Sequence, residues 1–273
     1  MNLSQKTGLK KNSKNTWTSI LGFPTKGTTM ENQTNIHQHD HQFSDAERQA
    51  VYKSIYSRRD VRGQFKPDPI PDEVLARILQ AAHHAPSVGF MQPWNFLLIK
   101  SQQVKQQVHD LFKKANHEAG EMFEQETQRQ IYSTLKLEGI LESPINLVVT
   151  CDRERAGPVV IGRTHDMAMD VYSSVCAVQN LWLAARAEGL GVGWVSIFDR
   201  LELKKLLQLP TQVTPVAYLC IGYVEHFFVE PELKTAGWLD RLPLQDLVFF
   251  DQWENSHAEH EEKLVKYLSQ AAY

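Results

Sequence analysis

The sequence predicts one α+β domain behind a polar N-terminal tail. Three observations carry that prediction. Helical and strand periodicities alternate from residue 44 onward, several runs are apolar enough to be buried strands, and no Ser/Gly-rich linker interrupts residues 44–250. The chain of 273 residues could hold one large domain or two small ones, and the unbroken pattern favours one. Apolar residues at 42% and charged residues at 22% are ordinary for a globular protein. A net charge of −3 gives no bulk attraction to nucleic acid or to an anionic membrane. No apolar run approaches ~18 residues, so no membrane-spanning helix is expected. The N-terminus lacks the apolar segment of a secretory signal. Cys151, Cys176 and Cys220 sit in apolar stretches without metal-ligand spacing. They read as reduced core thiols of a cytoplasmic protein rather than as nucleophiles.

Residues 1–43 are polar and without apolar periodicity, so they are expected to be a disordered tail, with Met30 a plausible alternative start. Within it His37, His39 and His41 alternate and could grip a metal ion, but nothing organises them and a solvated tract is the simpler reading. Ser44 and Glu47 form a capping box that opens a helix with Ala50, Val51, Ser54 and Ile55 on one face. Pro71 starts a second helix, with Asp72 and Glu73 favouring its dipole and Pro86 stopping it. Val74, Leu75, Ile78, Leu79 and Ala82 form its buried stripe. His83 and His84 in the last turn read as dipole partners more readily than as acid–base groups.

Residues 95–99 read as a first strand. The polar stretch 101–138 has a helical period with weak stripes, among them Val104, Val108, Leu111 and Phe112, and later Phe123 and Tyr132. It suits either a surface insertion or a lid over a site. A dense apolar strand over 145–151 precedes a long helix over 166–187, whose small residues suit burial in the core or in a dimer interface. Gly189, Gly191 and Gly193 lack the strand-before, helix-after setting of a phosphate loop and fit a helix C-cap leading into a strand. Asp199 and Glu202 cap another helix, and 213–223 is a further strong strand. Trp238, Arg241 and Leu242 lie in an arm over 225–273 that closes with a helix over 258–272.

Charge is concentrated at Arg58-Arg59-Asp60-Val61-Arg62. Three guanidinium groups so close repel one another unless an anion is bound, and Arg suits planar capture of phosphate or of a carbonyl-rich ring. Asp60 among them is expected to stay ionised. A second stretch runs from Ala85-Pro86-Ser87 through Gly89, Phe90 and Met91 to Gln92-Pro93-Trp94.

These two stretches, the Gly-rich turn after a long helix and a late Arg together resemble the nitroreductase-like flavoprotein family over about residues 44–250. The resemblance implies a mixed β-sheet wrapped by helices, an interlocked homodimer, and FMN at two interface sites. Ordinary nitroreductases usually have Ser where this chain has Asp60 and Asn where it has Phe90. In those details, and in Gly193-Trp194-Val195-Ser196, the chain is more similar to a flavin-fragmenting branch of the family. That branch uses reduced FMN and dioxygen as substrates and makes 5,6-dimethylbenzimidazole, the lower ligand of cobalamin, with erythrose 4-phosphate. The implied partners are a second copy of the chain and a separate flavin reductase, through which NAD(P)H acts indirectly.

The same resemblance implies Asp60 and Ser196 as catalytic residues over the flavin's central ring. It implies flavin binding by Arg58, Arg59, Asp60, Val61, Arg62, Ser87, Gly89, Met91, Ser196 and Arg241, with Arg241 near the phosphate. The chemistry agrees, since fragmenting a flavin needs a proton acceptor near the ring and exclusion of water. Asp60 could be that base, or it could orient a water, because neighbouring arginines weaken it. Gly89 would let a backbone N–H approach the ring, and Phe90 and Met91 could wall the site. A nitroreductase that keeps its FMN, or a flavin-binding protein without catalysis, stay open as alternatives.

Overall fold

The computed structural model describes residues 42–255 and 262–270. The histidines of the tail, Met30 and both ends of the expected last helix lie outside those residues.

Four strands form the sheet: β1 (Trp94–Ile99), β2 (Ile145–Asp152), β3 (Leu190–Val195) and β4 (Val213–Tyr223), in the order β1-β2-β4-β3. All three pairings are antiparallel, a correction to the mixed sheet expected. Among the described residues the parallel element is a single bridge, Asp60 to Val192, on the free edge of β3. Central β2 is buried along all but its last residue, which explains its continuous apolar run. The register of β2 on β4 slips between Val149 and Thr150, where Pro215 faces Thr150 and has no N–H for the ladder.

The pleat divides the core in two. Leu147, Val149, Leu219 and Ile221 face one side, where α2 (Asp72–His83) contributes Leu75, Ile78 and Ala82. On the same side α5 (Met169–Ala187) contributes Ala177, Val178, Leu181 and Trp182. Val148, Val195, Tyr218 and Cys220 face the other side, with Val108 and Phe112 of α3 (Gln102–Glu121). Shorter helices are α4 (Glu126–Thr134), α6 (Arg200–Leu206), α7 (Glu232–Thr235) and α8 (Glu262–Gln270).

Several caps are as expected. Around α1 (Asp45–Ser57) the Glu47 N–H reaches the Ser44 hydroxyl at 3.4 Å, and Glu47 accepts from the Ser44 N–H at 2.8 Å. Asp199 accepts from the N–H groups of Leu201 and Glu202, each at 2.8 Å. The helix expected from residue 166 starts later, because Asp166 turns back to accept from the Ala168 N–H at 2.8 Å.

Other expectations need correction. α3 is anchored in the core, so the polar stretch 101–138 is not a lid along its whole length. Its Lys105 is buried and donates to the carbonyls of Ser143 at 2.6 Å and Pro144 at 3.0 Å. The part after α3 packs through Phe123, Tyr132 and the arm residue Trp238, and the Tyr132 hydroxyl donates to Asn116 of α3 at 2.7 Å. No residue of α1 is buried, and its Val51 and Ile55 face outward. Cys176 is exposed on α5, whereas Cys151 and Cys220 are buried and burial pushes both thiols up, Cys220 to about 12. His83 accepts from the Trp94 indole N–H at 3.1 Å through Nδ1 and packs against that ring.

Candidate active site

The glycines of β3 build the site by what they leave out. Gly189, with φ of +79°, ends α5 in the left-handed conformation. A Cβ on Gly193 would stand 2.0 Å from the Val61 carbonyl oxygen, and one on Gly191 would stand 2.9 Å from the Val61 side chain. Their absence lets residues 60–61 lie against the edge of β3, where the Val61 N–H donates to the Val192 carbonyl at 3.0 Å. The segment continues beside the end of β4, with the Lys66 N–H on the Tyr223 carbonyl at 2.8 Å. Val61 itself is buried in the core, so its side chain offers a ligand nothing directly.

That docking fixes Asp60. Its Oδ1 accepts from the Trp194 backbone N–H at 2.9 Å and its Oδ2 from Arg62 Nη2 at 2.7 Å. Its side chain keeps 32% of its surface accessible. Burial raises the Asp60 carboxyl above its ordinary value, against the opposing pull of Arg62 and the Trp194 N–H. The expectation that the arginines would hold it low is corrected: desolvation outweighs them, and Asp60 is a stronger base than its neighbours suggested.

The three arginines divide the work. Arg62 is buried, held by Asp60 and with Glu232 of α7 at 3.9 Å. Arg59 donates to the carbonyls of Tyr56 at 2.8 Å, Arg58 at 2.7 Å, and Val229. It clamps the end of α1 to the root of the arm, and its hydrogen bonds go to the chain itself. Arg58 differs. Its guanidinium carbon stands 4.9 Å from the centre of the Trp182 ring, and the guanidinium makes no hydrogen bond or ion pair among the described residues. Burial lowers its pKa most; the charge of Asp60 opposes this, and those of Arg59 and Arg241 add to it. Exposed Arg241 is thus near enough for its charge to be felt at Arg58. Of the three arginines, Arg58 is the one whose guanidinium makes no hydrogen bond or ion pair among the described residues.

Ser196 follows β3 directly, two residues after Trp194, and is exposed with no side-chain hydrogen bond among the described residues. Its backbone carbonyl accepts from the Phe198 N–H at 3.0 Å.

The Ser87–Met91 stretch lies elsewhere. Ser87 Oγ accepts from the Gln92 N–H at 3.0 Å, and the Val88 N–H donates to Ser173 Oγ on α5 at 3.2 Å. Gly89 has φ of +55°, and a Cβ there would stand 2.5 Å from Val160 and 2.9 Å from the Ile161 carbonyl. The glycine lets the neighbouring 160–161 loop pack closely against this turn. Phe90 takes φ of +52° and is 81% exposed, so within one chain it walls nothing, while Met91 is buried.

α5 measures the separation. Ser173, under Val88, and Arg186, which donates to the Ser57 carbonyl at 3.2 Å, are thirteen residues apart on one helix. At the helical rise this is about 20 Å. Within one chain, the two stretches flank opposite ends of α5. The contacts of Trp182 with Arg58 and of the Trp194 N–H with Asp60 are the parts of this arrangement that the sequence did not point to. A backbone N–H carries no sequence signature, and Trp182 reads as one more apolar residue of α5.

Comparison with known proteins settles the family. The Nitroreductase family pattern matches residues 55–223, well over half of the chain. The chain belongs to the nitroreductase family. Among curated nitroreductase relatives, a 5,6-dimethylbenzimidazole synthase of Rhodospirillum rubrum is 41% identical over 186 residues, covering 68% of this chain and 87% of that one. One of Rhodobacter capsulatus is 38% identical over 203 residues, covering 74% and 97%. A solved BluB-like flavoprotein from Clostridium difficile 630 has the same nitroreductase fold, with a TM-score of 0.56 and 21% identity, over 74% of this chain and 99% of that one. Asp60 and Ser196 lie within the span matched to the family, and Arg241 beyond it.

Proposed function

We propose that the protein is a 5,6-dimethylbenzimidazole synthase, which fragments reduced FMN with dioxygen to 5,6-dimethylbenzimidazole and erythrose 4-phosphate for the lower ligand of cobalamin. The observation that carries this is the 41% identity to a curated 5,6-dimethylbenzimidazole synthase that the chain covers over 87% of its length. The position of Asp60 adds chemical support.

The residues suit the flavin. Arg58 has unspent donors and Arg241 adds charge, the donor set that a phosphate dianion takes. Reduced FMN supplies the electrons that reduce dioxygen and the carbon skeleton that becomes both products. Asp60 takes a proton: two of its lone-pair positions are held by Trp194 and Arg62, others stay available, and burial strengthens it as a base. Ser196, with its hydroxyl unengaged just past the strand that holds Asp60, orients the group from which the proton leaves. The segment after α3 and the arm residue Trp238 keep water out.

The working unit is a homodimer in which the Ser87–Met91 stretch of one copy meets the Arg58–Arg62 segment of the other. The separation of about 20 Å along α5 supports this. So do the outward-facing Val51 and Ile55 of α1 and Tyr172 and Val175 of α5, an apolar surface a second copy would bury. A separate flavin reductase supplies reduced FMN. The free thiols of Cys151, Cys176 and Cys220 suit a reducing cytoplasm.

The test is to incubate the protein with excess chemically reduced FMN in air and analyse the products by mass spectrometry. Both dimethylbenzimidazole and erythrose 4-phosphate are expected. Reoxidised FMN alone, with NADPH-driven reduction of nitroaromatics, contradicts the proposal in favour of a nitroreductase.

A further inference from the structure

Arg58 stands in an unusual position. It is half-buried, its positive charge is desolvated, and no carboxylate or carbonyl among the described residues accepts from it. The protein group arranged against it is the face of Trp182, 4.9 Å from the guanidinium carbon to the ring centre. Trp182 is in turn fixed. It is 8% exposed within the α2–α5 core, and its ring lies 6.3 Å from that of Trp194, the residue whose N–H holds Asp60.

The choice of tryptophan is informative. Its indole N–H is buried with no acceptor among the described residues, a cost that Leu or Phe at the same place would not incur. Hydrogen bonding therefore does not explain it. What Trp offers beyond an aliphatic residue is the strongest aromatic face for a cation. A guanidinium stacked on that face keeps its N–H edges free, whereas one held by a carboxylate would have them occupied.

We propose that Trp182 is a positioning residue of the substrate site, holding Arg58 stacked so that its donors are preset for the phosphate of reduced FMN. The proposal rests on the reading above that FMN is the substrate. Trp182 acts on phosphate recognition and not on the chemistry at the ring, so it sets the preference of the protein for FMN over riboflavin, which lacks the phosphate.

Anaerobic titration calorimetry with chemically reduced FMN and reduced riboflavin tests this on the wild type, Trp182→Leu, Trp182→Phe and Arg58→Gln. The wild type is expected to bind reduced FMN at least about tenfold more tightly than reduced riboflavin. Trp182→Leu should weaken FMN about threefold to tenfold and leave riboflavin within about twofold, with Trp182→Phe between. In an Arg58→Gln background, Trp182→Leu should have no further effect on FMN. If Trp182→Leu does not fold, Trp182→Phe carries the same comparison. Equal loss for both flavins, an undiminished effect without Arg58, or no wild-type preference for FMN would each overturn the proposal. Failure of the wild type to bind reduced FMN at all would remove it together with the functional reading. The other overturning results leave that reading, and its product test, intact.

Discussion

The backbone N–H of Trp194 donates to the carboxylate of Asp60 at 2.9 Å, tying a residue of the arginine segment to the edge strand of the sheet. The tie exists because Gly193 carries no side chain and the 60–61 backbone can lie against β3. It brings the acid, Arg62 and the strand leading to Ser196 into one place.

If Asp60 takes the proton, Asp60→Asn keeps the shape and removes the base. Product formation should fall by about 10²-fold or more, while reduced FMN still binds within a few-fold of wild type. Rapid-quench product analysis beside anaerobic titration measures both, and an unchanged yield would remove Asp60 from the mechanism.

The raised Asp60 carboxyl sets a pH dependence. Activity needs the ionised form, so kcat should rise with pH along a limb placed above the usual carboxylate range. Stability runs the other way. The folded state holds this proton more tightly than the unfolded chain, so the contribution of Asp60 is fully present below the unfolded pKa. It is lost as pH rises through the folded one. Asp60→Asn should remove that part of the slope in urea unfolding measured across pH; an unaltered slope would mean that burial does not govern this carboxyl.

The arginines should separate by assay. Arg58→Gln should weaken reduced FMN about tenfold to a hundredfold with little effect on melting. Arg59→Gln should cost about 1 kcal/mol of stability, because it removes hydrogen bonds to three backbone carbonyls, two of them exposed, yet change FMN affinity little. The reverse pattern would show that the two roles are misassigned.

Gly193→Ala should be among the most damaging single-methyl changes in the chain. The new Cβ would overlap the Val61 carbonyl, and backbone on both sides cannot yield. A loss at or beyond the upper end of about 1–3 kcal/mol is expected, with activity falling further as Asp60 leaves Trp194. Thermal melting and turnover measured together check this; a stable, active variant would contradict the packing described.

Much of the fold is legible in the residues. The apolar runs of β2 and β4, the stripe of α2, the caps at Ser44 and Asp199, and the Gly189 turn each follow from local pattern. Strand direction does not, because one buried apolar run serves a parallel or an antiparallel neighbour equally. Lys105 was hidden for a different reason: a charged residue on a polar helix reads as solvated, and the carbonyls that bury it come from residues 143 and 144. In the site, composition pointed to an anion but could not divide three adjacent arginines among a clamp, an acid's partner and a free donor. That division depends on which carbonyls and which aromatic face the fold brings near each one.

The central claim is that flavin is consumed, and one balance tests it. Reduced FMN is supplied in several-fold excess over protein in air, and total flavin and dimethylbenzimidazole are both quantified by chromatography over many turnovers. The account predicts one mole of flavin lost for each mole of dimethylbenzimidazole formed. Full recovery of the flavin as oxidised FMN, with no dimethylbenzimidazole, would contradict it.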